Sequence, residues 1–83
     1  MDIAVPLTLE AVRLALQMYP EKFNSTPEYL YDLFYKELSH AYIYIFSSGG
    51  YFFANESDLE DRQYVPVTVE EAREILFIYS LAQ

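Results

Sequence analysis

The chain has 83 residues, with 13 acidic and 5 basic side chains, one histidine and a formal net charge of −8. The absence of cysteine excludes disulfides, thiolate nucleophiles and cysteine metal sites, and one histidine excludes a multi-histidine metal site within one chain. The acidic excess argues against direct nucleic-acid binding, and no apolar run approaches the roughly 20 residues that span a bilayer.

The N-terminal residues 1–6 have neither the basic start nor the apolar centre of a signal peptide, which predicts a cytoplasmic protein. A first helix is predicted to begin at Thr8, whose hydroxyl can accept from a free amide of the first turn, and to stop before Pro20. Only a narrow polar stripe interrupts its apolar residues, so we expect this helix to be covered on two sides.

A second helix is predicted to follow and to continue to about Ala41. The segment Ser25-Thr26-Pro27-Glu28 offers two starts. Ser25 and Glu28 can form a capping box, or Thr26 can cap the helix with Pro27 in its first turn.

Residues 42–46 are aromatic and β-branched, unlike the helical segment before them. They are followed by Ser-Ser-Gly-Gly and by the aromatic residues 51–54, a pattern that predicts a β-hairpin. A single longer helix through residue 46 is the alternative. Residues 55–62 are predicted to form an acidic loop, and residues 62–65 could add a third, edge strand that Pro66 ends.

The last helix is predicted to begin at Thr68, with Glu71 completing a capping box. Residues 5–19 also resemble residues 65–79, which admits two interpretations: a good helix start that occurs twice, or two helices that pack as related partners against one sheet. The whole pattern predicts one α+β domain over residues 1–83. We expect two N-terminal helices, a small antiparallel hairpin or three-stranded sheet, and a C-terminal helix.

Candidate catalytic and metal-binding residues are few. His40 is the one neutral-pH base, but its neighbour Ser39 would not face it on a helix, and a histidine at a helix C-terminus suits capping. The acidic residues 56–61 lack the glycine and the glutamate spacing of an EF-hand loop. We therefore expect no enzyme, no metal and no cofactor.

The aromatic content points to a binding surface. The 9 Tyr and 6 Phe rings cannot all be interior in a domain of this size, and tyrosine tolerates the surface because its hydroxyl is polar. If Ile43 and Ile45 face the helices, the opposite face of the hairpin presents its tyrosines outward; a tyrosine-filled core is the alternative. The predicted partner contacts are Tyr35, Asp32, Glu28, Tyr42, Tyr44, Glu56, Asp58, Glu60 and Asp61.

These features predict a small acidic inhibitor that binds a protein with a basic surface. Such a protein would block a nucleic-acid-binding target, such as a nuclease or a CRISPR effector, as short acidic proteins of phages and mobile elements do. The alternative is a self-associating subunit, a homodimer formed through Phe77, Ile78 and Leu81 at the apolar end of the last helix.

Overall fold

The computed structural model describes residues 1–20, 22 and 24–82, with side chains as far as residue 78. Its strands are β1 (Asp2–Pro6), β2 (Tyr42–Ile45), β3 (Tyr51–Ala54) and β4 (Tyr64–Pro66). Its helices are α1 (Leu9–Met18), α2 (Pro27–Tyr31), which continues as a π-helix (Asp32–Glu37), α3 (Glu56–Leu59) and α4 (Val69–Ala82). The predicted α+β class is confirmed. No helix in the described part of the chain has the length and apolar character that a bilayer crossing requires.

The strands form one sheet in the order β3-β2-β1-β4. The β2–β3 hairpin is confirmed, and β1 pairs antiparallel with β2 and parallel with β4. This sheet is larger than the hairpin or three-stranded antiparallel sheet that the sequence predicts. The difference is β1, whose partners lie far along the chain: Ile3 pairs with Ile45 on one side and with Val65 on the other. A local pattern carries little information about pairings of that kind.

Helices α1, α2 and α4 cover one face of the sheet. Strand residues that point to this face, among them Ile3, Val5 and Ile43, pack in one buried cluster with residues of all three helices. Val12 of α1 and Leu76 of α4 are completely buried in it. The condition that Ile43 and Ile45 face the helices is met, but the same face of the hairpin also carries Phe53 and the buried Tyr51.

The two similar segments of the sequence are each a strand followed by a helix. Thr8 and Thr68 cap α1 and α4 in the same way, with each hydroxyl oxygen 3.1 Å from the amide nitrogen three residues on. The predicted capping box of Thr68 and Glu71 is confirmed, since the Glu71 carboxylate accepts from the Thr68 amide at 3.0 Å. Both helices lie on one face of the sheet, which agrees with the second interpretation of the similarity.

The second helix is less regular than predicted. Thr26, not Ser25, provides its cap, with its hydroxyl oxygen 3.2 Å from the Tyr29 amide nitrogen. The expected α-helix to residue 41 is wrong, because the chain changes to a π-helix after Tyr31. The π-helix ends at Glu37, and Ser39, two residues on, has a left-handed φ of 57°.

Candidate partner-binding site

The face of the sheet opposite α1, α2 and α4 is aromatic. Side chains alternate between the two faces along each strand, and this alternation places residues of the two hairpin strands and of β4 on this side. We call this surface the aromatic face; it consists of Tyr42, Tyr44, Phe46, Phe52 and Tyr64. Rings of neighbouring residues lie close together, with the Tyr44 centroid 5.3 Å from that of Phe52 and 6.0 Å from that of Tyr64.

A single helical turn, α3, lies against the aromatic face. The predicted acidic loop is therefore wrong in part, because residues 56–59 are helical. The turn is fixed by a capping box: the Asn55 side chain accepts from the Asp58 amide at 3.1 Å, and the Asp58 carboxylate accepts from the Asn55 amide at 3.0 Å. The Asp58 side chain thus serves α3 itself, although the sequence assigned it to a partner.

Leu59 anchors α3 to the sheet. It packs in a buried cluster with Ala4, Tyr44 and Ala54. The two alanines are small enough to leave room on the sheet surface for the leucine side chain. This packing fixes where the acidic residues on either side of Leu59 lie.

Tyr44 is buried, with 1% of its surface exposed. It lies on the predicted face, opposite the helices, but the expectation that it is exposed there is wrong, because Leu59 and the neighbouring rings cover it. Tyr42, Phe46, Phe52 and Tyr64 remain half-buried.

The hydroxyl of Tyr44 forms a hydrogen bond to a carboxylate. It donates to Asp2 Oδ2 at 2.7 Å, and the Ser47 amide donates to Asp2 Oδ1 at 2.8 Å. The bonds from the Ser47 amide and the Tyr44 hydroxyl lower the pKa of Asp2 from its ordinary value. Burial, followed by the bond to Asp2, raises the pKa of Tyr44. Strand β1 is thereby linked to the hairpin by side chains as well as by its backbone.

Arg62 lies over the aromatic face. Its guanidinium carbon is 5.1 Å from the Tyr44 ring centroid and 5.0 Å from the Phe52 centroid, and its Nε donates to the Asp58 carbonyl at 3.2 Å. Sequence reasoning did not select Arg62, Tyr64 or Leu59 as site residues. The Asn-x-x-Asp spacing at residues 55–58 was a signal that could have located α3.

An open cavity of about 400 Å³ lies between α3 and the aromatic face. It is lined by Tyr42, Glu56, Leu59, Glu60, Arg62 and Tyr64. Three predicted partner contacts, Tyr42, Glu56 and Glu60, therefore come together here. A fourth, Asp61, is exposed in the turn that follows α3.

The other predicted contacts lie in the helical layer, on the opposite side of the sheet. There the Glu28 carboxylate is 3.1 Å from the Arg13 guanidinium, and the Asp32 carboxylate is 3.2 Å from the Lys36 ammonium. Tyr35 stacks on Tyr31, with centroids 5.1 Å apart. The structure thus divides the predicted surface into two separate patches.

The two patches differ in how their charge is balanced. Glu28 and Asp32 each have a basic partner. Among the described residues, no basic group lies within 4.0 Å of the carboxylates of Glu56, Glu60 or Asp61. The carboxylates of the α3 patch are therefore not ion-paired, although Arg62 also lines the cavity. We call Glu56, Glu60, Tyr42 and Tyr64 the acidic–aromatic site.

The residues predicted for self-association are partly described. Phe77 and Ile78 on α4 are 63% and 61% exposed, and the side chain of Leu81 lies outside the described residues. Phe77 also borders a groove of about 210 Å³ with Leu14 and Met18 of α1. This apolar surface belongs to the helical layer and is distinct from the acidic–aromatic site.

His40, the candidate base, follows the π-helix. Its amide donates to the Phe34 carbonyl at 2.8 Å, so its backbone caps the helix end. The ring packs edge-on against Phe34, with centroids 5.6 Å apart.

Comparison with known proteins gives no functional lead: no protein-family model, curated protein or solved structure matches the chain. The proposals below therefore depend on the residues of this chain alone.

Proposed function

We propose that this protein is a small acidic inhibitor that binds a basic, nucleic-acid-binding target in the cytoplasm, such as a nuclease or a CRISPR effector. The observation that carries the proposal is the cavity at which Glu56 and Glu60 meet Tyr42 and Tyr64. Tyrosine rings are frequent anchors of protein interfaces, and unpaired carboxylates complement a basic surface. The chain would act as phage or mobile-element inhibitors do, by occupying the target and not by catalysis.

The blockade we propose is steric and electrostatic. A groove that binds nucleic acid is lined by Lys and Arg, which normally neutralise phosphates. A protein with a net charge of −8 is attracted to such a groove over long range, and this attraction speeds the encounter. Once bound, the protein body excludes the nucleic acid from the same space.

The proposal predicts that the charge of the acidic–aromatic site controls binding to the target. The double variant Glu56→Gln/Glu60→Gln should weaken target binding by about tenfold at low salt, since it removes charges that complement the partner. For the wild type, binding should weaken by a similar factor between about 50 mM and about 300 mM NaCl. The target, captured from host lysate and then purified, is titrated by calorimetry or biolayer interferometry.

The matched control is Glu28→Gln/Asp32→Asn, which removes the same charge from carboxylates that already have basic partners. We expect it to change affinity less than about twofold. The purified target should also lose nucleic-acid binding when this protein is added. A target that binds equally at both salt concentrations, or that still binds nucleic acid in the complex, would contradict the proposal.

A second candidate function is self-association through α4, and the exposure of Phe77 and Ile78 favours it. We expect the wild type to form a dimer at high micromolar concentration and Phe77→Asp to be monomeric, because a buried charge would oppose the contact. Size-exclusion chromatography with light scattering measures both. Tyr29→Asp, at a site on α2 that is 59% exposed, is the control and should leave the dimer intact. A wild type that stays monomeric would rule this function out.

A further inference from the structure

The cavity of the acidic–aromatic site has the chemistry of a cation-binding site. It has a volume of about 400 Å³ and is open to solvent, so a side chain of a partner can reach it. The carboxylates of Glu56 and Glu60 border it, and they would repel an anion. Tyr42 and Tyr64 also line it, and tyrosine rings attract a positive group.

The aromatic face already holds a guanidinium group from the chain itself. The Arg62 guanidinium carbon lies between 5.0 and 5.9 Å from the centroids of Tyr44, Phe46 and Phe52. These distances are those of a cation–π contact. The same surface, a short distance along the sheet, carries the rings of Tyr42 and Tyr64 that line the open cavity.

Two properties of the guanidinium group make arginine a better ligand than lysine for this cavity. A guanidinium is planar and can stack on a tyrosine ring, and it can donate two parallel hydrogen bonds to a carboxylate. An ammonium group is more strongly hydrated and binds as a point charge. A site that combines rings with carboxylates therefore gains more from a guanidinium.

We propose that this cavity binds an arginine side chain of the partner, whose guanidinium lies against Tyr42 and Tyr64 and donates to Glu56 and Glu60. The proposal deepens the proposed function, on which it rests for the basic partner. It also assigns a role to Arg62. As a fixed positive charge at the cavity wall, Arg62 opposes a second guanidinium and limits the affinity of the site.

The test uses the full chain and two synthetic peptides of equal length and charge, one alternating glycine with arginine and the other glycine with lysine. Binding is followed by ¹H–¹⁵N NMR titration. We expect the arginine peptide to bind at least about fivefold more tightly and to shift the amides of Tyr42, Glu60 and Tyr64. Glu56→Gln/Glu60→Gln should weaken it by about tenfold, and Glu28→Gln/Asp32→Asn by less than about twofold.

Arg62→Gln tests whether Arg62 opposes the ligand or has only a structural role. It should tighten binding of the arginine peptide several-fold, whereas a merely structural role would weaken it. Equal binding of the two peptides, or equal loss in the two double variants, would overturn the arginine site.

The outcomes also separate the two proposals. If the captured target still requires Glu56 and Glu60 while the peptides bind equally, the arginine site is wrong and the inhibitor function stands. If the target is insensitive to salt and to both double variants while the arginine peptide binds as expected, the inhibitor function is wrong and the arginine site stands.

Discussion

Replacing Leu59 with alanine is expected to lower the free energy of unfolding by about 2–4 kcal/mol, the usual cost of truncating a buried leucine. Leu59 is 5% exposed and holds α3 in the small cluster on the aromatic face. A domain of this size has a total stability of about 5–10 kcal/mol, so the loss is a large part of it. The variant should also bind the proposed target less well, because Glu56 and Glu60 are carried by the same turn.

Urea unfolding followed by circular dichroism measures the change in stability. The matched control is Leu38→Ala, the same truncation at a side chain that is 50% exposed, for which we expect a change within about 0.5 kcal/mol. A loss in Leu59→Ala as small as the one expected for the control would mean that Leu59 does not hold α3 to the sheet.

Asp2→Asn is expected to lower the free energy of unfolding by about 1–2 kcal/mol near pH 7, since it replaces two charge-assisted hydrogen bonds by neutral ones and solvent screens part of the effect. The folded pKa of Asp2 lies below its ordinary value of 3.8. The ionised carboxylate therefore stabilises the folded state fully above about pH 5, and this stabilisation is lost as the pH falls through the folded pKa.

The difference between wild type and Asp2→Asn should consequently shrink as the pH is lowered from neutrality towards about pH 3. Urea unfolding at a series of pH values tests this. The control is Glu37→Gln, which removes the same formal charge from an exposed side chain. A difference that stays constant over the whole range would show that the Asp2 bonds to Tyr44 and Ser47 do not depend on its ionisation.

The local signals of the sequence predicted the helix starts and the hairpin. Thr8, Thr26 and Thr68 each cap a helix, because a hydroxyl before an apolar periodic run can satisfy a free amide. The hairpin was evident since glycines interrupt two aromatic stretches, and Gly49 and Gly50 both have positive φ angles there. These features depend on residues close together in the chain.

The features that sequence reasoning missed depend on distant residues. Strand β1 is defined by its pairing with β2 and β4, and nothing in residues 2–6 alone indicates those neighbours. Alternation showed which face Tyr44 occupies, but not that Leu59 and Arg62 would cover that ring. For the same reason the predicted binding residues came from two separate surfaces. Only the folded structure shows that Glu56 and Glu60 share a cavity with Tyr42, while Glu28 lies elsewhere.

The central position of β1 has a consequence for synthesis on the ribosome. Its antiparallel neighbour β2 and its parallel neighbour β4 are separated along the chain, and β4 lies close to the C-terminal helix. At a translation speed of about 5–20 residues per second, β4 follows β1 by roughly 3–12 seconds. The nascent chain can pair β1 with the hairpin on one edge, but the other edge stays open until β4 has been synthesised. Docking of β4 and α4 is therefore expected to follow the pairing of β1 with the hairpin.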